Sequence, residues 1–586
     1  MTRTRRRRGR GFRVSVTEDI GRPGSASGSE AQRSSPRGSG KSAKQRLGAL
    51  VSPEMRLRVS NSLFQRRHHR LPDGYLLLPV NGRLRVVGVR EDPSPMQAWR
   101  ETLEFVCSVL SAASVPFFCL RPVDFRASGV AVPKAHQKTA AEALAAAAAE
   151  VYAQIGPVND PDGSKSTSKR EAWERLGARK AFRISRNYCA PDGRMVLGPE
   201  HGCVVEFWES KDGELTAPRA NRITDVLPPE GEITYVSAPV LTLMANRDDT
   251  EARYPTRADF LLPVVDEVPF PIDVVYTWVD GGDPAWRTRR DAAHERATGE
   301  TLHEQAANES RYISRDELRY SLRSLALYAP WVRHIYIVTD AQVPPWLNTA
   351  HPKITVVDHK EIFGPRGLLP TFNSHAIESQ LHHIEGLSEY FLYFNDDVFL
   401  GRPLVPNSFF HPNGTGKFFP SSKRVDLRDR SAADLPATAA GKNTRRLIER
   451  TFGGVPLARI KHTPHALRRS VLSEIEHQFA AESAETAAHQ FRHPDDVAIP
   501  SSLYHYYSFF TGRAVEADMT YRYINLASPE AAERLDTALE QRPYECFCIN
   551  DTEFDAEETA RQHELVERFL QAYFPMPSPY EVGSDE

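Results

Sequence analysis

Asp396 and Asp397 stand side by side behind Asn395, at the end of a run of Tyr and Phe that reads as a strand. Acid pairs at strand ends commonly cap a helix or fill a turn. Here the next residues, Val398-Phe399-Leu400, are apolar and continue an extended pattern, which weakens the helix-cap account. Two carboxylates held together repel unless a cation or a proton intervenes, and Mg²⁺ or Mn²⁺ shared with substrate phosphates is the common solution. Taken alone, this pair leaves metal and turn roles level.

A second set of chemically capable residues is Lys461-His462-Thr463-Pro464-His465. Thr463 suits an N-cap and Pro464 a first helical position, so His462 and His465 are expected around the free N–H groups of a helix start, where phosphate is attracted. The His-x-x-His spacing also suggests zinc, but no nearby Cys or third His completes a tetrahedral set. Arg492-His493-Pro494-Asp495-Asp496 reads as another helix opening, with Arg492 offering a donor fork matched to phosphate; a surface arginine is the plainer alternative. Cys546-Phe547-Cys548 puts two sulfurs on one strand face, better read as small buried apolar residues than as metal ligands. Asn550-Asp551 just beyond could join the other strand-end acids, or simply form a turn.

The elements that must position these residues follow from periodicity. Ile272–Val279 is a buried-strand run ending in the turn Asp280-Gly281-Gly282-Asp283. Leu318, Leu322 and Leu325 mark a helix over about 314–328, and short strands follow at 335–338 and 354–357. Ile377, Leu381 and Ile384 stripe another helix, and 390–394 is the strand before the acid pair. Strands alternating with helices predict a mostly parallel sheet, with ligands beyond the carboxyl ends of its strands, where both acidic turns fall. After an irregular stretch from His411 to Ala440 the chain turns helical to about residue 510, adds a strand at 545–549, and closes with a helix at about 557–573. Ahead of all this, 60–265 reads as a smaller N-terminal α/β domain: a hairpin around Asn81-Gly82, a helix over 96–112, a strand at 115–120 and an Ala-rich helix from Pro133 to Gly156, then a structureless stretch to Lys169.

The bulk numbers confine the function. The 586 residues hold 74 Lys+Arg against 76 Asp+Glu, a net charge of −2, so nothing global points to nucleic acid. Six cysteines are too few for a disulfide framework, and the basic N-terminus lacks the apolar stretch of a secretory signal. The most apolar segment, Phe105–Leu120, is shorter than a span of roughly 20 residues. A cytoplasmic enzyme without a transmembrane segment is expected, with peripheral association at the inner membrane face left open. Residues 1–50, rich in Arg, Ser and Gly, are expected to be a disordered basic tail.

Taken together, these segments resemble the Stealth family of sugar-phosphate transferases. Ile272–Gly281 is similar to its first signature. Asp316–Ser324, Ala329–Arg333, Leu369–Glu378 and Tyr393–Val398 are similar to the second, His462–Leu467 with Phe491-Arg492-His493 to the third, and Cys548–Asp551 to the fourth. The resemblance covers about 270–552, and it frames a catalytic domain at 269–575 and a C-terminal tail at 576–586. It implies an α/β fold with a glycosyltransferase-A-like, mostly parallel sheet and a helical second half. It also implies an exopolysaccharide or capsular polysaccharide phosphotransferase, moving hexose 1-phosphate from a nucleotide-sugar donor to a hydroxyl of a glycan acceptor.

On the same basis Asp397, His462 and Arg492 are the expected catalytic residues. Asp396, Asp397 and Asp551 are candidate ligands for Mg²⁺ or Mn²⁺, and Tyr276, Trp278, Asp280, Arg319, Asn373, His375 and His465 are candidates for substrate binding. Tyr276 and Trp278 sit where a nucleotide base could stack, or where both could fill the core. Either His462 or Asp397 could accept the acceptor's proton. Two rivals stand: a glycosyltransferase that releases a nucleoside diphosphate, and a non-catalytic glycan-binding protein.

Overall fold

In this computed structural model the described residues are 58, 61–66, 68, 70–298, 312, 314–431, 433–550 and 556–583. The expected disordered tail at 1–50 lies outside them, as does Asp551. Residues Asn61–Glu586 form one compact unit. It begins with the expected hairpin, β1 (Tyr75–Val80) antiparallel to β2 (Arg83–Val89). Its turn residues Asn81 and Gly82 have φ of 48° and 75°, a region Gly enters freely and Asn with little cost.

Helix α1 (Pro95–Ala112) starts at Ser94, whose hydroxyl accepts the Gln97 N–H, and it buries Trp99, Leu103, Val106 and Leu110 along one stripe. The Ala-rich segment also forms a helix, α2 (Gln137–Glu150), but a shorter one than expected. Pro133 ends the strand Ser128–Pro133, which pairs in parallel with Cys203–Trp208, and Gln154–Gly156 is itself a strand. Pairing partners far along the chain therefore trim this helix at both ends. The stretch after Gly156 is not structureless: Thr167 bridges back to Ile155, and Asp160 accepts from Ser164 and from the Lys165 N–H. These pieces build a nine-stranded mixed sheet with its own core around Trp99, Phe182 and Phe207.

The central sheet of the second half is built from β3 (Ile272–Thr277), β4 (Ile335–Thr339), β5 (Ile354–Asp358) and β6 (Tyr390–Asn395), all parallel, in the order β5-β4-β3-β6. Such near-continuous apolar runs are what strands covered on both faces require. Between β3 and β4 runs α3 (Glu317–Tyr328), which buries Leu318, Leu322 and Leu325. Strand order reverses at β3 and β6, where the crevice beyond the strand ends is the usual ligand site of an open α/β sheet. In register, Thr277 lies opposite Asn395, so the acid pair opens directly onto that point.

The region after Leu369 departs from expectation. The helix foreseen through Ile377, Leu381 and Ile384 is a single short turn, α4 (Ser374–Glu378), followed by a 3₁₀ turn at Leu381–His383. After β7 (Val398–Leu400), the helix start foreseen at Thr463-Pro464 is absent. Instead β8 (His465–Arg468) adds antiparallel to β6, pairing His465 with Tyr393, and helix α5 (Arg469–Gln478) begins after it. Cross-strand pairing here overrides the local Thr-Pro signal. No helix opens at Arg492 either; α6 (Tyr504–Phe510) comes later.

A second small sheet, β7-β10-β9, joins β9 (Tyr521–Asn525) and β10 (Cys546–Asn550) to the strand leaving the acid pair. Helix α7 (Ala556–Tyr573) follows. The expected C-terminal tail is folded down through residue 583. Glu581 accepts from Arg319 Nε at 2.6 Å and from Arg323 Nε and Nη2 at 2.8 and 2.7 Å, and its backbone bridges Leu347. Among the described residues no helix is long and apolar enough to cross a membrane.

Candidate active site

The turn Asn395-Asp396-Asp397 links β6 to β7, strands of different sheets, and places both acids at the junction. Asp397 Oδ2 accepts from Asn550 Nδ2 at 2.7 Å and from Cys548 Sγ at 3.4 Å. Its other oxygen, Oδ1, is buried with no partner among the described residues. Burial pushes Asp396 well above the usual carboxylate range, and the charges of Glu317 and Asp397 push it further. Glu317, buried at the start of α3, is raised by burial too; Arg315 opposes that rise and Asp397 adds to it. Asp396, Asp397 and Glu317 thus repel one another electrostatically, and one buried oxygen of Asp397 lacks a donor. That is the condition a divalent cation or a proton relieves, so the residues present fit Mg²⁺ or Mn²⁺.

His462 is exposed, and its ring lies 5.6 Å from that of Tyr523. The Tyr523 hydroxyl donates to Asn550 Oδ1 at 3.2 Å, and Asn550 in turn donates to Asp397. A continuous chain of contacts therefore runs from His462 through Tyr523 and Asn550 to Asp397. This linkage depends on β10, the strand that carries both Cys548 and Asn550.

Arg492 is reached from a different direction. Its Nη2 donates to Ser374 Oγ at 2.9 Å, at the first residue of α4. The loop that carries it is fixed by the fully buried Asp496, which accepts from Asn373 Nδ2 at 2.8 Å, the His493 N–H at 2.9 Å and His489 Nδ1 at 2.7 Å, with His375 Nδ1 at 3.3 Å. Burial raises Asp496, but its histidine and backbone donors outweigh that and hold it below the usual range. At the other end of α4, Glu378 adjoins the buried Tyr393. The Tyr393 hydroxyl is 3.0 Å from Thr277 Oγ1, and burial followed by Glu378 and Asp396 raises its pKa. Tyr393 thus connects α4 with the acid turn.

Several residues expected at the substrate are placed elsewhere. Tyr276 has no exposed surface: its hydroxyl is 2.9 Å from Ser321 Oγ and its ring packs on Phe394, so it fills the core. Arg319 pairs with Glu581 and anchors the C-terminal segment. His465 is buried, with Nδ1 3.0 Å from His505 Nε2, and desolvation keeps both rings neutral, with His505 pushed down to about 3. A buried neutral ring is no phosphate donor at a helix start. Asn373 and His375 are buried on Asp496 and support Arg492 from behind.

Trp278 is half-buried just past β3. Asp280 turns Oδ1 onto the Gly282 N–H, and its backbone is held on both sides by Gln342. The sequence reading did not single out Glu317, Glu378, Tyr523 or Asp496. Glu317, Glu378 and Asp496 stood within segments already set apart, so the further acids there were a usable signal; Tyr523 carried none.

This fold and site define an α/β enzyme with an acidic strand end at a sheet switch point. Four consecutive family descriptions match it: Stealth protein CR1, conserved region 1 at residues 270–297, CR2 at 311–418, CR3 at 461–509 and CR4 at 537–586. An exopolysaccharide phosphotransferase of Streptomyces coelicolor is 47% identical over 85% of this chain and 85% of its own length. Exopolysaccharide phosphotransferase CpsY of Mycobacterium tuberculosis is 36% identical over 86% of this chain and 92% of its own. The chain belongs to the Stealth family of exopolysaccharide phosphotransferases, and it is a transferase. Among solved structures, galactosyltransferase LgtC in complex with donor and acceptor sugar analogs aligns over 54% of this chain and 98% of its own at 12% identity, with a TM-score of 0.27.

Proposed function

We propose that this enzyme transfers hexose 1-phosphate from a nucleotide-sugar to a glycan hydroxyl, forming a phosphodiester and releasing a nucleoside monophosphate. The acceptor oxygen bonds to the sugar-bearing phosphorus while the bridging P–O bond breaks, and its electron pair leaves with the nucleoside monophosphate. A ring nitrogen of His462 takes the acceptor's proton, and the exposure of that ring suits a residue that must meet an incoming glycan. Arg492, held against Ser374, offsets charge on the phosphoryl oxygens. Asp397 and Asp396 are the residues that would hold a divalent ion; when bound, it supplies charge neutralisation to the donor's diphosphate. Asn550 fixes the Asp397 carboxylate so that its unpartnered oxygen stays available.

The observation that carries this reading is the buried, unpartnered Oδ1 atom of Asp397, next to Asp396 and within electrostatic reach of Glu317. A glycan-binding protein has no need of such an arrangement. The test is turnover of nucleotide-sugar with an oligosaccharide acceptor, before and after chelation and in Asp397→Asn. Activity lost on chelation, restored by Mg²⁺ or Mn²⁺, and nearly absent in a folded Asp397→Asn supports the reading. Undiminished turnover in Asp397→Asn removes its basis.

A further inference from the structure

His382 and His383 occupy the 3₁₀ turn after α4, and both direct Nε2 at the carboxylate of Glu476 on α5. His382 Nε2 lies 2.9 Å from Glu476 Oε2, and His383 Nε2 lies 3.2 Å from Oε1 and from Oε2. One ligand atom from each residue falls within 4.8 Å of the other two, and among the described residues no other group of three His, Cys, Asp or Glu does so. None of the three takes part in the contacts around Asp397.

We propose that His382, His383 and Glu476 bind a zinc ion that clamps the turn after α4 onto α5. In a tetrahedral zinc site with bonds of about 2.0–2.1 Å, neighbouring ligand atoms are separated by roughly 3.3–3.4 Å, close to the 2.9 and 3.2 Å found here. Two imidazoles and one carboxylate suit zinc, whereas Mg²⁺ and Ca²⁺ take oxygen ligands almost alone. The His382 side chain is only 2% exposed, while those of His383 and Glu476 are 23% and 29% exposed, so one side of the cluster opens to solvent for a water as fourth ligand. Burial disfavours the protonated form of His382, which leaves its ring lone pair available to a metal. Without an ion the same three groups pair as two imidazole N–H donors on one carboxylate, and zinc titration distinguishes the two arrangements.

Full-length protein is stripped with a chelator, dialysed, and titrated with ZnCl₂ by calorimetry with MgCl₂ in excess, so that the magnesium occupies the acidic turn. We expect about one equivalent of zinc to bind and to raise Tm, and cobalt in its place to give the visible absorption of a tetrahedral ion. Losing outer-sphere partners alone weakens metal sites 10–100-fold, so Glu476→Gln and His383→Ala should each weaken zinc binding by about 10²-fold or more. Asp397→Asn should bind zinc as the parent does. Should Glu476→Gln fail to fold, the partly exposed His383→Ala carries the same comparison. Failure of the stripped parent to bind zinc overturns the proposal, as does binding that survives in His383→Ala or that disappears in Asp397→Asn.

Discussion

Asp397 illustrates how a single side chain can be held for chemistry and still left incomplete. One oxygen is fixed by Asn550 and Cys548, and the other is buried without a donor. Its link to His462 runs through the Tyr523 ring and the Asn550 amide, which tie the orientations of the two residues together. If His462 and Arg492 act on the transferring group, His462→Ala and Arg492→Ala should each lower kcat by about 10²-fold or more with folding preserved, the scale of one lost proton-transfer or charge-stabilising group. Circular dichroism and steady-state kinetics on both variants check this; near-parental kcat in either assigns that residue to structure. Asn550→Ala removes contacts to both Asp397 and Tyr523, so it should reduce kcat, and adding it to Asp397→Asn should cost less than the sum of the two single changes, a non-additivity expected of residues that act as a unit.

Individual elements place these side chains through contacts that span more than a hundred residues. Asp496 gathers donors from Asn373, His375 and His489, so the loop bearing Arg492 is tied to the start of α4. Asp496→Asn replaces an acceptor-only group by an amide that must turn donor hydrogens toward existing donors. Breaking a buried network of this kind is expected to cost about 3–5 kcal/mol, read as a fall in Tm.

The Arg319–Arg323–Glu581 cluster pins the C-terminal segment in the same manner. Burial raises Glu581, but pairing with the arginines outweighs it and holds the folded pKa below the unfolded value. Its contribution is therefore complete above about pH 4.5 and is lost as pH falls further through the lower folded pKa. Glu581→Gln should destabilise the protein at pH 7 and flatten the acid limb of stability against pH, which denaturant melts from pH 3 to 7 measure.

What the sequence could reveal at this scale was the local signal. Apolar runs ending in acids gave β3 and β6, and Asn81-Gly82 gave the hairpin. Thr463-Pro464 misled because the partner of His465 is Tyr393, 72 residues earlier, and no local pattern records that pairing. Asp496 stood in a segment already quoted, but its partners Asn373 and His375 lie far earlier in the chain and left its role unread.

The molecule as a whole joins a nine-stranded N-terminal sheet and a parallel sheet with a mixed three-stranded extension inside one compact unit. The residues proposed for the chemistry all belong to the second half. Residues 1–50 contain few large apolar side chains and none of the groups assembled around Asp397, so a chain lacking them should turn over at the parental rate; a folded truncation that loses activity contradicts this.

The central claim concerns which bond breaks, and the released nucleotide reports it directly. Purified enzyme free of phosphatase is incubated with nucleotide-sugar and glycan acceptor, the nucleotide product is resolved by anion exchange, and the new linkage is examined by ³¹P NMR. Attack at the sugar-bearing phosphorus predicts nucleoside monophosphate and a phosphodiester resonance in the extended glycan. Nucleoside diphosphate, with an acceptor glycosylated through a linkage that contains no phosphorus, would contradict the account.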